Sequence, residues 1–185
     1  YADIICFNEV PGQGWTKEVG RLLGLSYFYE GKIASANHTI DYIDSTGKYY
    51  GKYKSILSKF PLKDTSEILL NGVGWSPAST VSAQINFNHD SIQIFSLHIP
   101  NGSSNAINSK AEHLSRIIAE SYTIDKIIIA GDFNDFINSR PLQYLYDIGF
   151  YNSFDTLSMN LDTLTTFIDS NIVIDHILQK ELNVV

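Results

Sequence analysis

The stretch Asp125-Lys126-Ile127-Ile128-Ile129-Ala130-Gly131-Asp132-Phe133-Asn134-Asp135 decides the fold of this 185-residue chain. Its unbroken apolar run over residues 127–130 is typical of a strand that is buried on both faces. Gly131 ends the run, because a residue without a Cβ lets the backbone turn. Asp132 and Asn134 follow at the C-terminal end of the strand, where an extended backbone directs both to one side. They could orient a water, a metal or a phosphate, or they could form an ordinary turn.

The composition is that of a folded globular protein with enough residues for one full-sized core. Hydrophobic residues make up 44% and charged residues 18% of the chain, which excludes a disordered protein. The net charge of −7 argues against a protein that holds nucleic acid mainly through a basic surface. It does not exclude a nuclease, because carboxylates at a metal site add negative charge that the ion neutralises. We predict a single domain over residues 1–185 and expect a monomer.

The cellular setting is only weakly indicated by the sequence. Cys6 is the single cysteine, so no internal disulfide can form, which suits a reducing compartment and slightly favours the cytoplasm. No apolar run reaches the length of a membrane span, and no signal peptide is visible. The chain opens at Tyr1 inside a strand-like segment and closes at Val184-Val185, which resembles the start of another. We therefore expect both ends of the native protein to extend beyond this sequence.

Apolar periodicity predicts an α/β domain with more strands than helices. Besides the central run, strands are expected at residues 4–10, 25–29, 55–62, 80–87, 91–97 and 172–178. Helices are expected at three places: after Trp15, after Ser103-Ser104-Asn105 and after Arg140-Pro141. The tripeptide Asn88-His89-Asp90 predicts a hairpin turn between two of the strands.

Four of these strands carry polar residues that a hydrophobic core does not need. They are Glu9, His98, Asp132 together with Asn134, and Asp175, which we place in the middle of its strand. An unpaired buried charge is costly, so such carboxylates tend to lie at an edge, in a pair or on a metal. Each residue has an ordinary explanation by itself, such as a solvent-facing strand end or a loop histidine. One shared cleft accounts for all of them together.

The segment Lys48-Tyr49-Tyr50-Gly51-Lys52-Tyr53-Lys54 alternates cations with aromatic rings. Side chains such as Tyr50 and Lys54 could hold a phosphate and stack on a base or a sugar. A solvated loop accounts for the same composition, and the sequence leaves both interpretations open.

Five segments occur in a recognisable order along nearly the whole chain. They are Asp3-Ile4-Ile5-Cys6-Phe7-Asn8-Glu9-Val10, Tyr50-Gly51 with Ile56-Leu57-Ser58-Lys59-Phe60-Pro61, Ser96-Leu97-His98, Gly131-Asp132-Phe133-Asn134 and Ile174-Asp175-His176-Ile177-Leu178. Together they resemble the endonuclease/exonuclease/phosphatase superfamily of divalent-metal phosphoesterases. The resemblance implies a four-layer α/β sandwich, with two packed mixed sheets flanked by helices and with the terminal strands missing from this sequence.

The resemblance also implies an activity, the Mg²⁺-dependent hydrolysis of a phosphate ester by in-line attack of water, with Mn²⁺ as a possible substitute. Glu9 would bind the metal, and Asp132 would orient or deprotonate the attacking water. Asn134 and His98 would donate hydrogen bonds to the non-bridging phosphate oxygens. Asp175 would orient the neighbouring groups.

The chain departs from the family pattern at two residues and at its two ends. Asn8 stands where the family usually has Gln, and His176 stands where it commonly has Tyr. His176 should therefore not be taken for the catalytic histidine of the family, which belongs to a later Ser-Asp-His motif. These 185 residues lack that motif and also lack the family's first strand. We expect them to be a poor catalyst by themselves.

The kind of phosphate ester stays open at this stage. His98 resembles the branch with deoxyribonucleases, sphingomyelinases and inositol phosphatases. Pro100-Asn101 resembles the abasic-site endonuclease branch and makes Asn101 a candidate substrate contact. The expected substrate is a nucleic acid, a nucleotide, an inositol phosphate or a phospholipid head group.

Two other functional classes compete with this interpretation. The first is a degenerate member of the same fold that binds a phosphorylated ligand or a protein partner without turnover. The second is a dinuclear metallophosphoesterase, suggested by Gly131-Asp132-Phe133-Asn134-Asp135. We reject the second, because this chain has neither of the other motifs that such enzymes need, an Asp-x-His near the start and a later Gly-Asn-His.

Overall fold

The computed structural model describes residues 2–12, 14–34, 42–43, 49–70, 78–99, 114, 117, 124–159, 164–166 and 173–182. The helices whose bounds lie within these residues are α1 (Trp15–Leu23), α2 (Arg140–Asp147) and α3 (Ser153–Thr156). The strands are β1 (Ile4–Val10), β2 (Tyr27–Glu30), β3 (Tyr42–Ile43), β4 (Tyr49–Tyr50), β5 (Tyr53–Ser58), β6 (Lys63–Leu69), β7 (Ser79–Phe87), β8 (Asp90–His98), β9 (Lys126–Asp132), β10 (Tyr151–Asn152) and β11 (Asp175–Lys180). No helix in this part of the chain is long and apolar enough to cross a membrane.

The fold is built around two β-sheets. The larger has six strands in the order β10-β11-β9-β8-β7-β6, and the smaller has three in the order β1-β5-β2. Within the larger sheet β8 and β9 run parallel, and the other neighbours run antiparallel. Helices flank the sheets, so the predicted α/β sandwich is confirmed.

The core lies on both faces of the large sheet because the central strands are apolar at consecutive positions. In β8, Phe95 and Leu97 belong to a cluster that also contains Leu142 and Leu145 of α2. Ile94 belongs to a second cluster that includes residues of the smaller sheet. Because side chains alternate along a strand, His98 lies on the face of Ile94 and is directed between the two sheets.

Several predicted elements have the expected positions. Strand β1 covers the predicted residues 4–10, and α1 begins at Trp15. The hairpin between β7 and β8 turns at Asn88 and His89, whose φ angles are 48° and 72°. Positive φ at both central residues is the turn geometry that matches the twist of paired strands.

Other elements differ from the prediction. Strand β6 was not predicted, because its residues are mostly exposed and polar at the edge of the large sheet. Strand β9 does not stop at Gly131 but continues to Asp132, and Asp175 is the first residue of β11, not a residue in its middle. The predicted helix after residue 105 lies mostly outside the described residues, although Leu114 and Ile117 are helical and buried.

Candidate active site

The candidate site starts from a row of three residues at one end of the large sheet. In the register of the sheet, His98 pairs with Asp132 across the parallel strands β8 and β9. Asp132 in turn pairs with Asp175 across the antiparallel strands β9 and β11. Neighbouring strands are about 4.8 Å apart, so hydrogen bonding within the sheet brings these three side chains together.

Strand β1 of the smaller sheet supplies Asn8 and Glu9 through a β-bulge. Phe7 pairs with Ser55 and Val10 with Tyr53, so β1 has one residue more than β5 between these two pairs. Regular alternation would turn Glu9 to the face of Phe7, whose ring packs edge-on against Trp15 at 5.2 Å. The extra residue breaks the alternation. As a result, two consecutive side chains both reach the ends of β8, β9 and β11.

His98 lies between two carboxylates that come from different sheets. Its Nε2 is 3.3 Å from Oδ2 of Asp132, and its Nδ1 is 3.5 Å from Oε1 of Glu9. The histidine side chain is 5% exposed, whereas that of Glu9 is 43% exposed. The imidazole is therefore enclosed while the glutamate at the rim remains accessible to a ligand.

Asn8 connects the smaller sheet to Asp175. Its Nδ2 donates a hydrogen bond to Oδ1 of Asp175 at 3.2 Å. Its Oδ1 is buried and has no hydrogen-bond partner among the described residues. A buried carbonyl oxygen without a donor is costly, which makes this atom a candidate ligand for a cation or a water. Sequence reasoning treated Asn8 only as a substitution for Gln.

Gly131 allows the sheet and the bulge to approach each other closely. Its φ angle is 143°, and a Cβ at this position would lie 2.1 Å from the carbonyl oxygen of Leu97 and 2.8 Å from Oδ1 of Asn8. Only glycine fits under both restrictions. The role of Gly131 is this close contact inside β9 and not the turn that the sequence suggested.

Asn134 does not share an extended backbone with Asp132, as the sequence had suggested. Its φ angle is 49°, and its backbone N–H donates to Oδ1 of Asp132 at 2.6 Å. Its side-chain Nδ2 donates to the carbonyl oxygen of Ile99 at 2.8 Å. The segment is therefore a turn held by the aspartate, and the same turn fixes the carboxylate of Asp132 next to His98.

Asp175 has an environment that disfavours its charge. Burial raises its pKa, the nearby charge of Asp132 raises it further, and a hydrogen bond with Thr166 partly offsets both effects. The backbone N–H groups of Ile174 and Asp175 both donate to Oγ1 of Thr166, at 3.0 and 3.1 Å. Raised carboxylate pKa values beside other acids are typical of functional sites, although ion-pair networks also produce them.

His176 faces away from this cluster and has a structural role. It is 1% exposed, and its Nε2 lies 2.9 Å from the carbonyl oxygen of Asp135. Its Nδ1 lies 3.3 Å from Nδ2 of Asn152. A carbonyl can only accept and an amide nitrogen only donate, so the ring is the neutral tautomer with the proton on Nε2. Burial is the main reason that its pKa is lowered.

Of the three predicted substrate contacts, the structure describes only the side chain of Lys54. Asn101 and the side chain of Tyr50 lie outside the described residues. Lys54 is fully buried, and its Nζ donates to the carbonyl oxygen of Lys52 at 3.3 Å. This burial is unfavourable for a direct contact with a ligand. Lys52 instead reaches the rim, where its Nζ lies 2.6 Å from Oε1 of Glu9.

Residues 1–184 match the sequence profile of the Endonuclease/Exonuclease/phosphatase family, and the chain belongs to this family. The resemblance inferred from the five sequence segments is therefore confirmed. The family unites nucleases and phosphatases, as its name states, so the fold is that of a hydrolase family. A search by sequence among curated proteins found no match.

Solved structures with the same fold include three that illustrate the range of the family. A Leptotrichia buccalis protein of this family is 16% identical with a TM-score of 0.67, over 98% of this chain and 76% of that one. The human Nocturnin catalytic domain with a bound sulfate is 14% identical with a TM-score of 0.66, over 97% and 69%. A Bacteroides thetaiotaomicron mannosyl-6-phosphatase is 16% identical with a TM-score of 0.66, over 97% and 71%. At such identities the likeness establishes the fold alone.

Proposed function

We propose that this protein hydrolyses phosphate esters with the help of a divalent cation, Mg²⁺ or Mn²⁺, by in-line attack of water. One observation supports the proposal above all others. Glu9, His98, Asp132 and Asp175 lie far apart in the sequence but meet at one end of the sandwich, on four strands of two sheets. A cluster of acids around an enclosed imidazole is costly for a structural protein and useful for a phosphoesterase.

The available donors fit a hard cation. The carboxylate of Glu9 and the buried Oδ1 of Asn8 are oxygen ligands, which Mg²⁺ prefers. The described residues contain no group of three or more His, Cys, Asp or Glu side chains that could hold a metal by themselves. Mg²⁺ does not require such a group, because it keeps several waters and is commonly bound through one or two carboxylates. When bound at Glu9, the cation would polarise a phosphoryl oxygen.

Asp132 is the group that we assign to the attacking water. Its Oδ1 is held by the backbone N–H of Asn134, and its Oδ2 lies beside Nε2 of His98. A carboxylate fixed at both oxygens can orient a water and accept its proton without first reorganising. Asp175, held by Asn8, would set the position of Asp132 and of the neighbouring groups.

His98 and Asn134 are the donors that we assign to the non-bridging phosphate oxygens. His98 is enclosed between Glu9 and Asp132, so a phosphate that enters beside Glu9 arrives next to the imidazole. Nδ2 of Asn134 donates to the carbonyl oxygen of Ile99, and its backbone N–H donates to Oδ1 of Asp132. These contacts hold the amide group next to the carboxylate, and we assign it to a phosphoryl oxygen. One such donor is worth about 100- to 1,000-fold in rate.

The proposal is tested by the release of nitrophenol from bis(4-nitrophenyl) phosphate by full-length protein. We expect turnover with Mg²⁺ or Mn²⁺, none in EDTA, and a loss of about 1,000-fold or more in Asp132→Ala. Asp147→Asn, which changes an exposed carboxylate on α2, should keep the rate.

Undiminished turnover in EDTA would overturn the proposal. Tight, Glu9-dependent binding of Mn²⁺ without turnover of any phosphate ester in a substrate panel would instead favour the binding protein without catalysis. The same panel, with a phosphodiester, a nucleotide, an inositol phosphate and a sugar phosphate, would identify the substrate class.

A further inference from the structure

Lys52 and Glu9 form a close ion pair at the rim of the site. Nζ of Lys52 lies 2.6 Å from the same Oε1 of Glu9 that faces His98. The proposed function assigns Glu9 to the divalent cation, and two positive groups on one carboxylate repel each other. A divalent ion bound at Glu9 therefore opposes the attraction that holds Lys52 there.

We propose that Lys52 neutralises Glu9 in the cation-free protein, leaves it when a divalent ion binds, and then contacts the phosphate of the substrate. Lys52 is thus a substrate-positioning residue that the proposed activity does not yet include. The inference rests on the proposed function, because it takes Glu9 as the cation ligand.

The backbone around Lys52 explains why this lysine reaches Glu9. The backbone N–H of Gly51 donates to the carbonyl oxygen of Pro11 at 3.2 Å, and Tyr53 pairs with Val10. These two contacts hold Lys52 directly beside the bulge that presents Glu9. The next lysine along, Lys54, is buried, and its Nζ donates to the carbonyl oxygen of Lys52.

The exposure of the pair makes the exchange feasible. The side chain of Lys52 is 32% exposed and that of Glu9 is 43% exposed. Ion pairs at such positions contribute about 0.2–1 kcal/mol, since water screens them. A divalent ion therefore has to overcome at most about a fivefold penalty in affinity.

The released ammonium remains near the place where phosphate would enter. The carboxylates of Glu9, Asp132 and Asp175 repel a phosphate dianion, so the site needs cations to admit one. The bound metal supplies one cation and Lys52 a second, as a mobile point charge of the kind that suits phosphate. A flexible four-carbon stem lets the ammonium move by several ångströms without moving the backbone.

The direct test is a brief acetylation of lysines with sulfo-NHS-acetate, read by mass spectrometry. Mn²⁺ should raise the labelling of Lys52 about two- to fivefold, and inorganic phosphate added with Mn²⁺ should lower it again. Lys59 is the matched control, because its Nζ pairs with Oδ1 of Asp3 at 3.1 Å on the exposed surface. Its labelling should not change.

Two variants provide an independent measurement by calorimetry and kinetics. Lys52→Gln should bind Mn²⁺ up to about fivefold more tightly, because the competing ammonium is gone. The same variant should raise KM for the nitrophenyl phosphodiester several-fold more than it lowers kcat. Lys59→Gln should leave both the Mn²⁺ affinity and the kinetics unchanged.

The results of these measurements show whether the role of Lys52 or the proposed function itself is wrong. If Glu9→Gln abolishes Mn²⁺ binding but the labelling of Lys52 and the affinity of Lys52→Gln are unchanged, the role of Lys52 is wrong and the proposed function stands. If Mn²⁺ does not bind, or binds equally well to Glu9→Gln, the assignment of Glu9 fails and the role of Lys52 fails with it.

Discussion

Asp132 and Asp175 lie directly opposite each other on the neighbouring strands β9 and β11. Burial raises the pKa of Asp175, and the charge of Asp132 raises it further. Two acids are thus paired at a position where one of them resists ionisation. The pairing therefore costs stability, as we expect if these two acids have the catalytic roles that we propose.

Asp175→Asn should make the protein more stable at pH 7 and less active. A raised pKa means that the folded state loses stability as the pH rises from the unfolded value of about 3.8 through the folded value. The asparagine removes this loss and can still accept the hydrogen bond from Asn8. We expect a higher midpoint in urea unfolding at pH 7, and kcat lower by about 10- to 100-fold. A variant that is less stable at pH 7 would contradict the assignment of the raised pKa.

Gly131→Ala should destabilise the fold strongly, because the new Cβ would meet the backbone of Leu97 and the side chain of Asn8. We expect a loss of about 2 kcal/mol or more in the free energy of unfolding. Gly24→Ala is the matched control, since Gly24 also has a positive φ, 71°, but a Cβ added there would have no atom within 4 Å. It should lose only about 1 kcal/mol. Equal losses would show that the contacts of Gly131 do not matter.

Lys54→Met should stabilise the protein near neutral pH. Burial lowers the pKa of Lys54 from 10.5 to about 8, although the charges of Glu67 and Glu9 partly oppose the shift. Between those two values the unfolded state binds a proton that the folded state has released, so folding becomes more favourable as the pH rises. The advantage of the variant should be at most about 3 kcal/mol at pH 7. It should shrink as the pH rises from 8 to 10.5.

Lys63→Met, at an exposed position of β6, is the control for this pH series. Its difference from the wild-type free energy of unfolding should stay near zero across the same range. A Lys54→Met advantage that does not change with pH would mean that packing and not charge explains it.

His176 should remain neutral below the pH at which an ordinary histidine becomes charged. Its pKa is lowered, chiefly by burial, so the protein should lose stability as the pH falls below about 6.5. Long-range ¹H–¹⁵N NMR of the ring should show the neutral tautomer with the proton on Nε2 as the main form at pH 6.5. A ring that is mainly imidazolium at pH 6.5 would contradict the structure.

The sequence predicted strands and turns correctly where an apolar run or a group of turn residues determines them without contacts to distant parts of the chain. The apolar runs in β1 and β9 predicted strands, and Asn88-His89-Asp90 predicted a hairpin, because these signals depend on neighbours in sequence. The polar strand ends were expected to share one cleft because an unpaired buried charge is costly, and the family resemblance indicated the same cleft. Nothing in the composition says which strands are neighbours.

The remaining features depend on contacts between distant parts of the chain. The bulge at Asn8 and Glu9 arises from the pairing of β1 with β5. The amino-acid sequence of β1 alone does not show this pairing. Lys54 is buried although lysine is usually exposed. Strand β6 has almost no apolar pattern, because it lies at an edge where only one side is covered.

Because of the bulge in β1, the direction of the Glu9 side chain depends on the number of residues between two paired positions as well as on the residue type. A relative with the same Asn-Glu pair but one residue fewer between the partners of Ser55 and Tyr53 could build the same sheet. Its glutamate would then point to the helical side, towards the position of Trp15. An alignment scored on identities alone would accept that relative. Counting backbone positions between two hydrogen-bonded partners is therefore a better criterion of whether a distant homologue can build the same cluster.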